Sequence, residues 1–368
     1  MNEPWRAVDP GRVEHLLEAA LRVEGPSGAE GPTVDLFEAA LRSIGAPVRR
    51  QPVTPGRSNL LVRLGARPAR IALVGHLDTI DPEEPREVRR EGDLLWGLGA
   101  ADMRSGCVAM VEALRCLLAA GLPGEDQGGV LLALLVGEEE SGDGAEALLR
   151  AGELDAPLTV IGEPTSLLPC PGHYGFLELT LVGQGTRAHA AVPEEGANAI
   201  HATVDWVREI LRLTSTIEGA GVNVRRISGG GELFVVADGC EAVLDLHLPP
   251  GIDDGPLRAR IEEARRRVLA DHPGCSLEES EVFWAGGWPT SEGDARLEVL
   301  RQALAALGRP PELGAFRSHS DGPVLFEAGT LPVICGPGAL EVAHRPDEHV
   351  SLSETVEAAR LYAALLAG

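Results

Sequence analysis

Residues 71–78 read Ile-Ala-Leu-Val-Gly-His-Leu-Asp, an apolar run that ends in glycine and passes directly into polar side chains. A short continuous apolar run of this kind is typical of a strand buried on both faces of a parallel sheet. Similar runs occur at 130–136 and 159–161, and a helical pattern at about 104–120 precedes the first of these two. Strands that alternate with helices predict an α/β domain with a mainly parallel sheet and helices on both faces.

The pattern changes after about residue 172, where apolar and polar residues alternate along 176–182. Alternation suits a sheet with one solvent-facing side. The following helices and strands come in β-α-β-β-α-β order, which predicts a small two-layer α+β unit, and the α/β texture returns near 286. We therefore expect one α/β domain interrupted by an inserted domain, with boundaries at 1–172 and 286–368 for the α/β domain and 173–285 for the insertion.

Composition argues against several classes of function. The 368 residues carry a formal net charge of −24, and only 4% are aromatic, so a nucleic-acid partner is not expected. The sequence contains no lysine, which removes mechanisms that need a Schiff-base or phosphate-loop lysine. Six scattered cysteines, no secretory signal and no apolar run of about 20 residues predict a cytoplasmic protein without a membrane partner.

Polar residues follow the predicted strand ends, and ligands bind at that edge of an open α/β sheet. In chain order they are His76, Asp102, Glu138, Glu139, Glu163 and His344. Taken singly, each has a simpler explanation, such as a solvated turn for residues 138–140 or a surface histidine at 344. Together they form an imidazole and carboxylate set without sulfur, which suits zinc, with cobalt or manganese as substitutes.

A carboxylate that bridges two ions, with one histidine and one further carboxylate on each ion, would form a two-metal hydrolytic site. Two adjacent glutamates then have separate uses, because one can bind metal while its neighbour takes a proton from water. Asp78 lies two residues after His76, so it is placed to accept the second imidazole N–H and fix the ring.

These motifs resemble the M20 family of metallopeptidases and amino-acid deacylases. The segments that carry the resemblance are Gly-His-Leu-Asp-Thr at 75–79, Gly-Leu-Gly-Ala-Ala-Asp-Met-Arg-Ser-Gly at 97–106, Gly-Glu-Glu-Glu-Ser-Gly at 137–142, Gly-Glu-Pro-Thr at 162–165, Gly-Thr-Arg-Ala-His-Ala-Ala at 185–191, and Gly-Pro-Gly with Ala-His-Arg-Pro-Asp-Glu within 336–348. The resemblance implies two Zn²⁺ ions (Co²⁺ or Mn²⁺ as substitutes), one held by His76 and Glu163 and the other by Glu139 and His344, with Asp102 bridging. It also implies that Glu138 is the general acid/base and that the peptide bond after Asp102 is cis.

The resemblance further implies that the insertion is a ferredoxin-like lid that mediates a homodimer. Within it, His189 would reach the partner's active site and help to hold the substrate carbonyl oxygen. Two positions depart from the family pattern. Phe234 stands where relatives commonly have asparagine, and His247 stands where an arginine commonly binds a substrate carboxylate. Substrate recognition is therefore expected to differ from that of the well-known members.

The segment 335–348 is most similar to acetylornithine deacetylases, whereas Ser-Asp-Gly at 320–322 is closer to succinyl-diaminopimelate desuccinylases. We expect a di-metal amidohydrolase that removes the acyl group from a small N-acyl amino acid, and favour the acetylornithine type over the desuccinylase type. Two alternatives stay open. One is a dipeptidase or carboxypeptidase, and the other is a catalytically silent binding relative.

Overall fold

The computed structural model describes residues 3–82, 86–123, 128–231, 233–289 and 293–368. The chain divides into two compact units. The first comprises Met1–Gly172, Thr290–Phe316 and Ser320–Gly368, and the second comprises His173–Pro289 and Arg317–His319. None of the helices in the described ranges has the length and apolar character of a membrane-spanning segment.

The chain forms short and medium-length strands interspersed with helices. In chain order, the strands are β1 (Val48–Thr54), β2 (Arg57–Leu64), β3 (Ala69–His76), β4 (Arg89–Glu91), β5 (Leu94–Trp96), β6 (Gly129–Leu135), β7 (Leu158–Pro164), β8 (Gly172–His173), β9 (Gly175–Gln184), β10 (Gly221–Gly229), β11 (Gly239–Leu248), β12 (Ser276–Ala285), β13 (Ala315–Phe316), β14 (Leu331–Gly336) and β15 (His349–Ser351). The helices are α1 (Pro10–Leu21), α2 (Gly31–Ser43), α3 (Ser105–Ala119), α4 (Asp143–Arg150), α5 (Ala199–Thr214), α6 (Asp254–Asp271), α7 (Glu298–Ala306), α8 (Gly322–Glu327) and α9 (Leu352–Ala367).

The first unit is organised around a central sheet, whose strand order within the described residues is β1-β2-β6-β3-β7-β14. Strand β3 pairs in parallel with β6 and β7, and β14 pairs in parallel with β7, while β1 and β2 are antiparallel additions at one edge. All residues of β6 and β7 are buried. The prediction of a mainly parallel sheet is thus confirmed.

Helices cover both faces of this sheet. Successive side chains of a strand point to opposite faces, so each strand contributes to two apolar clusters. Leu132 and Leu134 of β6 pack in one apolar cluster with residues of α1, α2, α3 and α9, whereas Leu131 and Ala133 pack in another with residues of α4 and α8. Helices therefore shield each face of the sheet from water, and the polar side chains discussed below lie at the strand ends.

The second unit is a two-layer α+β structure. Its sheet has the antiparallel order β10-β11-β9-β12, and along the chain the elements run β9, α5, β10, β11, α6, β12. Residues of β9 alternate between buried and half-buried. Fully buried Trp206 of α5 lies in the core that α5 and α6 form with the sheet.

Candidate active site

Adjacent parallel strands bring three of the polar segments to one edge of the central sheet. His76 is the last residue of β3, and Glu163 is the penultimate residue of β7. Glu138 and Glu139 follow β6, which neighbours β3 in the sheet. The carboxyl ends of parallel strands meet at the same edge, so residues distant in sequence become neighbours.

Two irregular segments supply the remaining residues. Asp102 lies in a wide helical turn, Ala100–Arg104, in which Asp102 and Met103 have non-helical backbone angles. The Asp102–Met103 peptide bond is cis, as the resemblance implied. His344 lies in the loop before β15 with φ of +61°, a left-handed conformation that is strained for a histidine and concentrates at functional sites.

The carboxylate of Asp102 lies between two imidazoles and presents one oxygen to each. His76 Nε2 is 3.1 Å from Asp102 Oδ1 and 3.4 Å from Glu163 Oε1. His344 Nε2 is 3.4 Å from Asp102 Oδ2 and 3.1 Å from Glu139 Oε2. The five residues therefore form two half-sites, each with one histidine and one carboxylate of its own, joined by Asp102.

The pKa values of these groups reflect the close approach of three carboxylates to two imidazoles. Burial, reinforced by Asp102, raises the pKa of Glu163 to about 8. Hydrogen bonds with Asp102 and Glu139 raise the pKa of His344 to about 11. Burial disfavours the charged form of Asp102, but hydrogen bonds with His344 and His76 outweigh it and hold the pKa of Asp102 well below its usual value.

The donor set fits divalent cations. Potential ligand atoms of His76, Glu138 and Glu163 lie within 4.8 Å of one another, and so do those of His76, Asp102 and Glu139. Nitrogen and oxygen donors at such spacing suit zinc or its usual substitutes, and a divalent ion would relieve the repulsion among the carboxylates.

Glu138 lies beside the cluster, with its Oε2 3.9 Å from His76 Nε2. Its pKa is raised well above the usual value by burial, an effect that His76 opposes and Glu163 reinforces. Only 7% of Glu138 is exposed, in contrast to the exposed Glu140 two residues later. The run of three glutamates is therefore not a uniformly solvated turn.

Asp78 lies against both the His76 ring and the loop that follows β6. His76 Nδ1 lies 3.1 Å from the backbone carbonyl of Asp78, whereas the Asp78 carboxylate is 3.6 Å away. The carboxylate instead accepts hydrogen bonds from Ser27 Oγ (2.6 Å) and from the backbone N–H groups of Glu138 (3.3 Å) and Glu139 (3.1 Å). Through these hydrogen bonds the Asp78 carboxylate links the end of β3 to the loop after β6.

Two buried acidic residues near this site had no role assigned from sequence. Glu348 is 3% exposed and accepts backbone hydrogen bonds from the turn that contains Asp102. Asp321 is 5% exposed, and burial raises its pKa to about 7. Both lie in segments that resemble the family, but burial of an acidic side chain is not readable from a polar loop sequence.

The positions predicted to contact substrate lie in the second unit. His189 is exposed on a loop, and its Nδ1 accepts a hydrogen bond from Ala191 N at 3.1 Å. Backbone pairing joins this loop to Phe234, whose carbonyl accepts from Ala190 N at 3.0 Å and whose side chain is 85% exposed. His247 lies in β11 with its ring 5.1 Å from that of Phe176. The roles given to His189, Phe234 and His247 stay predictions.

Residues 72–368 match the family model described as peptidase family M20/M25/M40. Acetylornithine deacetylase of Myxococcus xanthus is 28% identical over 348 residues, 88% of either chain, and that of Photorhabdus laumondii is 26% identical over 340 residues, 87% of this chain and 86% of the relative.

Solved structures share the fold. A tripeptidase of Staphylococcus aureus superposes with a TM-score of 0.84 at 18% identity, and aminopeptidase PepT of Bacillus cereus with 0.81 at 20% identity; each pair covers 98% of either chain. A Bacillus subtilis protein described as a dinuclear metal-binding peptidase of the M20 family gives a TM-score of 0.72 at 16% identity, also over 98% of either chain.

Proposed function

The chain belongs to peptidase family M20/M25/M40, and on that premise we propose that it is a two-metal amidohydrolase that releases the acyl group of a small N-acyl amino acid. N-acetylornithine is the favoured substrate, since the deacetylases of Myxococcus xanthus and Photorhabdus laumondii match 88% and 87% of the chain. The observation that carries the proposal is the position of Asp102, with one carboxylate oxygen toward His76 and the other toward His344.

His76 and Glu163 would hold one Zn²⁺, and Glu139 and His344 the other, with Asp102 shared. When bound, such ions polarise an amide carbonyl and lower the pKa of water, which is the chemistry that amide hydrolysis needs. The protein's part is to fix five donors from separate segments in one place.

Glu138 is the group that moves the proton. Its carboxylate accepts a proton from the attacking water and delivers it to the nitrogen of the leaving amine. Burial raises the pKa of Glu138, which makes its ionised carboxylate a stronger proton acceptor than an exposed glutamate would be. Hydrogen bonds from the backbone of Glu138 and Glu139 to Asp78 keep the proton carrier and its metal-binding neighbour in a fixed relation.

We further propose that residues 173–285 act as a lid and as the surface of a homodimer, with His189 donating to the substrate carbonyl oxygen. The support is an exposed apolar patch beside His189, in which Leu233 is 67% and Phe234 85% exposed. Apolar side chains exposed together commonly mark a contact surface.

The test is a substrate panel on protein reconstituted with Zn²⁺ or Co²⁺, using N-acetylornithine, N-succinyl-diaminopimelate and several dipeptides. We expect release of acetate from the first, together with about two bound ions per chain by elemental analysis. Hydrolysis of dipeptides alone would favour a peptidase, an alternative supported by the structural similarity to a tripeptidase and an aminopeptidase. Metal-loaded protein that hydrolyses none of the panel, but binds one of its members, would favour a binding relative.

A further inference from the structure

Glu348 lies beside the proposed metal centre without offering a ligand to it. It is 3% exposed, and its carboxylate accepts hydrogen bonds from three backbone N–H groups between residues 99 and 102. Gly99 N donates to Oε2 at 3.1 Å, and the N–H groups of Ala101 and Asp102 donate to Oε1 at 2.9 and 3.1 Å. The side chain of Glu348 thus binds the backbone of the turn that contains Asp102.

The turn needs such an acceptor. The first N–H groups of a helical segment lack carbonyl partners within it, and the non-helical angles at Asp102 and Met103 interrupt the regular pattern further. A carboxylate has two oxygens with several acceptor positions, so a buried one can hold several N–H groups in one arrangement.

The other end of Glu348 is tied to the segment that carries His344. Glu348 N donates to Arg345 O at 3.1 Å, and Glu348 O accepts from Gly97 N at 3.1 Å. Immediately after it, β15 pairs with β5 in the register His349 to Trp96. Glu348 therefore joins the loop that contains His344 to the turn that contains Asp102.

We propose that Glu348 is a positioning residue that holds Asp102 and His344 in register and thereby sets the affinity for the ion shared by Asp102, Glu139 and His344. The inference rests on the proposed two-ion site. It goes beyond that site because Glu348 acts through three backbone N–H groups rather than as a ligand, and residues that orient ligands in this way typically change metal affinity by about 10- to 100-fold.

Two substitutions alter different properties of the side chain, and positioning by Glu348 requires both properties. Glu348→Gln keeps the length of the side chain and removes the charge, whereas Glu348→Asp keeps the charge and removes one methylene of reach. A matched control is Glu354→Gln, since Glu354 is a half-buried glutamate six residues later that also accepts a backbone hydrogen bond, from Gly338.

The experiment measures Co²⁺ binding to metal-free protein by equilibrium dialysis and by the visible absorption of the bound ion. We expect wild type and Glu354→Gln to bind two equivalents, and both Glu348 variants to bind the second equivalent about tenfold or more weakly. Second-ion affinity within about twofold of wild type in either Glu348 variant would overturn the proposal. Wild type that binds no ion would instead contradict the proposed function.

A second measurement, hydrogen exchange, is made on metal-free protein, and its first comparison needs only the wild type. In metal-free wild type, the amides of Gly99, Ala101 and Asp102 should exchange hydrogen far more slowly than in an unstructured peptide, because Glu348 accepts from them. Glu348→Gln should accelerate exchange in segment 97–103 but not in β6. Exchange at the unstructured rate in wild type would contradict the inference whatever the variants do.

Discussion

The adjacent residues Glu138 and Glu139 have different surroundings at the candidate active site. Glu139 receives a hydrogen bond from His344, whereas Glu138 faces His76 at 3.9 Å and is buried among like charges. Environment rather than residue type therefore distinguishes the two carboxylates, and the roles proposed for them in metal binding and proton transfer rest on that difference.

Replacing Glu138 by glutamine should separate these roles. Glu138→Gln keeps the side-chain shape but cannot accept the proton, so turnover should fall by about 100-fold or more while two metal ions remain bound. Steady-state kinetics and elemental analysis of the same sample check this. The control is Glu140→Gln, at an exposed position, which should keep its activity. An active Glu138→Gln enzyme would remove Glu138 from the mechanism.

Asp321 should destabilise the metal-free protein at neutral and alkaline pH. Burial raises its pKa to about 7, so between its ordinary pKa of 3.8 and about 7 the folded state keeps a proton that the unfolded state has released. Stability from this group therefore falls as pH rises through that window and is lowest above it.

Asp321→Asn should accordingly stabilise the metal-free protein, on the order of 2 kcal/mol near pH 8 and by almost nothing near pH 4. Urea unfolding at several pH values measures the difference. Exposed Asp35 gives the control, since Asp35→Asn should not reproduce this pH dependence. An equal effect of Asp321→Asn at both pH values would refute the explanation by ionisation.

At the scale of elements, the position of Glu163 depends on the close approach of α3 to β7. A Cβ atom on Gly106, in the first turn of α3, would lie 2.3 Å from the carbonyl oxygen of Gly162. The neighbouring atom is backbone, so it cannot yield as a flexible side chain would. The glycine thus permits the helix that follows Asp102 to lie directly against the strand that ends in Glu163 and Pro164.

We expect Gly106→Ala to destabilise the protein by about 1–3 kcal/mol and to weaken metal binding, because the strand end must move. Gly31→Ala is the control, since a Cβ atom there meets nothing within 4 Å and alanine favours the helix that begins at Gly31. Thermal unfolding and metal titration check both. A Gly106→Ala protein with wild-type stability would mean that the helix can shift without cost.

The elements that could be predicted from sequence are those with a clear pattern. The apolar runs at 71–75 and 130–136 correspond to β3 and β6 because strands buried on both faces need apolar side chains throughout. Strand β1 was missed, since its sequence Val-Arg-Arg-Gln-Pro-Val-Thr is polar and contains proline. Helix α9 was missed as well; its charged residues all precede residue 361, and residues 361–366 are hydrophobic and buried throughout.

The proposed ligands could be named from motifs, but their supports could not. Asp102 and His344 stand out as chemical groups in polar loops, whereas Glu348 is distinguished only by what its carboxylate touches 246 to 249 positions away. Hydrogen bonds to backbone N–H groups leave no signature in the sequence of the donors. Long-range positioning of this kind is therefore visible only in the folded chain.

At the scale of the whole molecule, the proposed ligands tie together distant segments of the first unit only. Two of the proposed ligands lie at the ends of β3 and β7, one follows β6, one precedes α3 and one precedes β15. The second unit supplies none of the five. Ions bound to the folded state alone stabilise it by an amount that grows with their concentration, about 4 kcal/mol at a thousand times Kd.

Removal of metal with a chelator should therefore lower Tm and should do so unevenly. Hydrogen exchange should accelerate around residues 76, 102, 138–139, 163 and 344, because repulsion among the buried carboxylates returns when the ions leave. Exchange in β9 and α5 should stay unchanged, since their core around Trp206 contains none of these groups. Equal acceleration of hydrogen exchange in both units would contradict this prediction. It would mean that the stability of the second unit also depends on the bound ions.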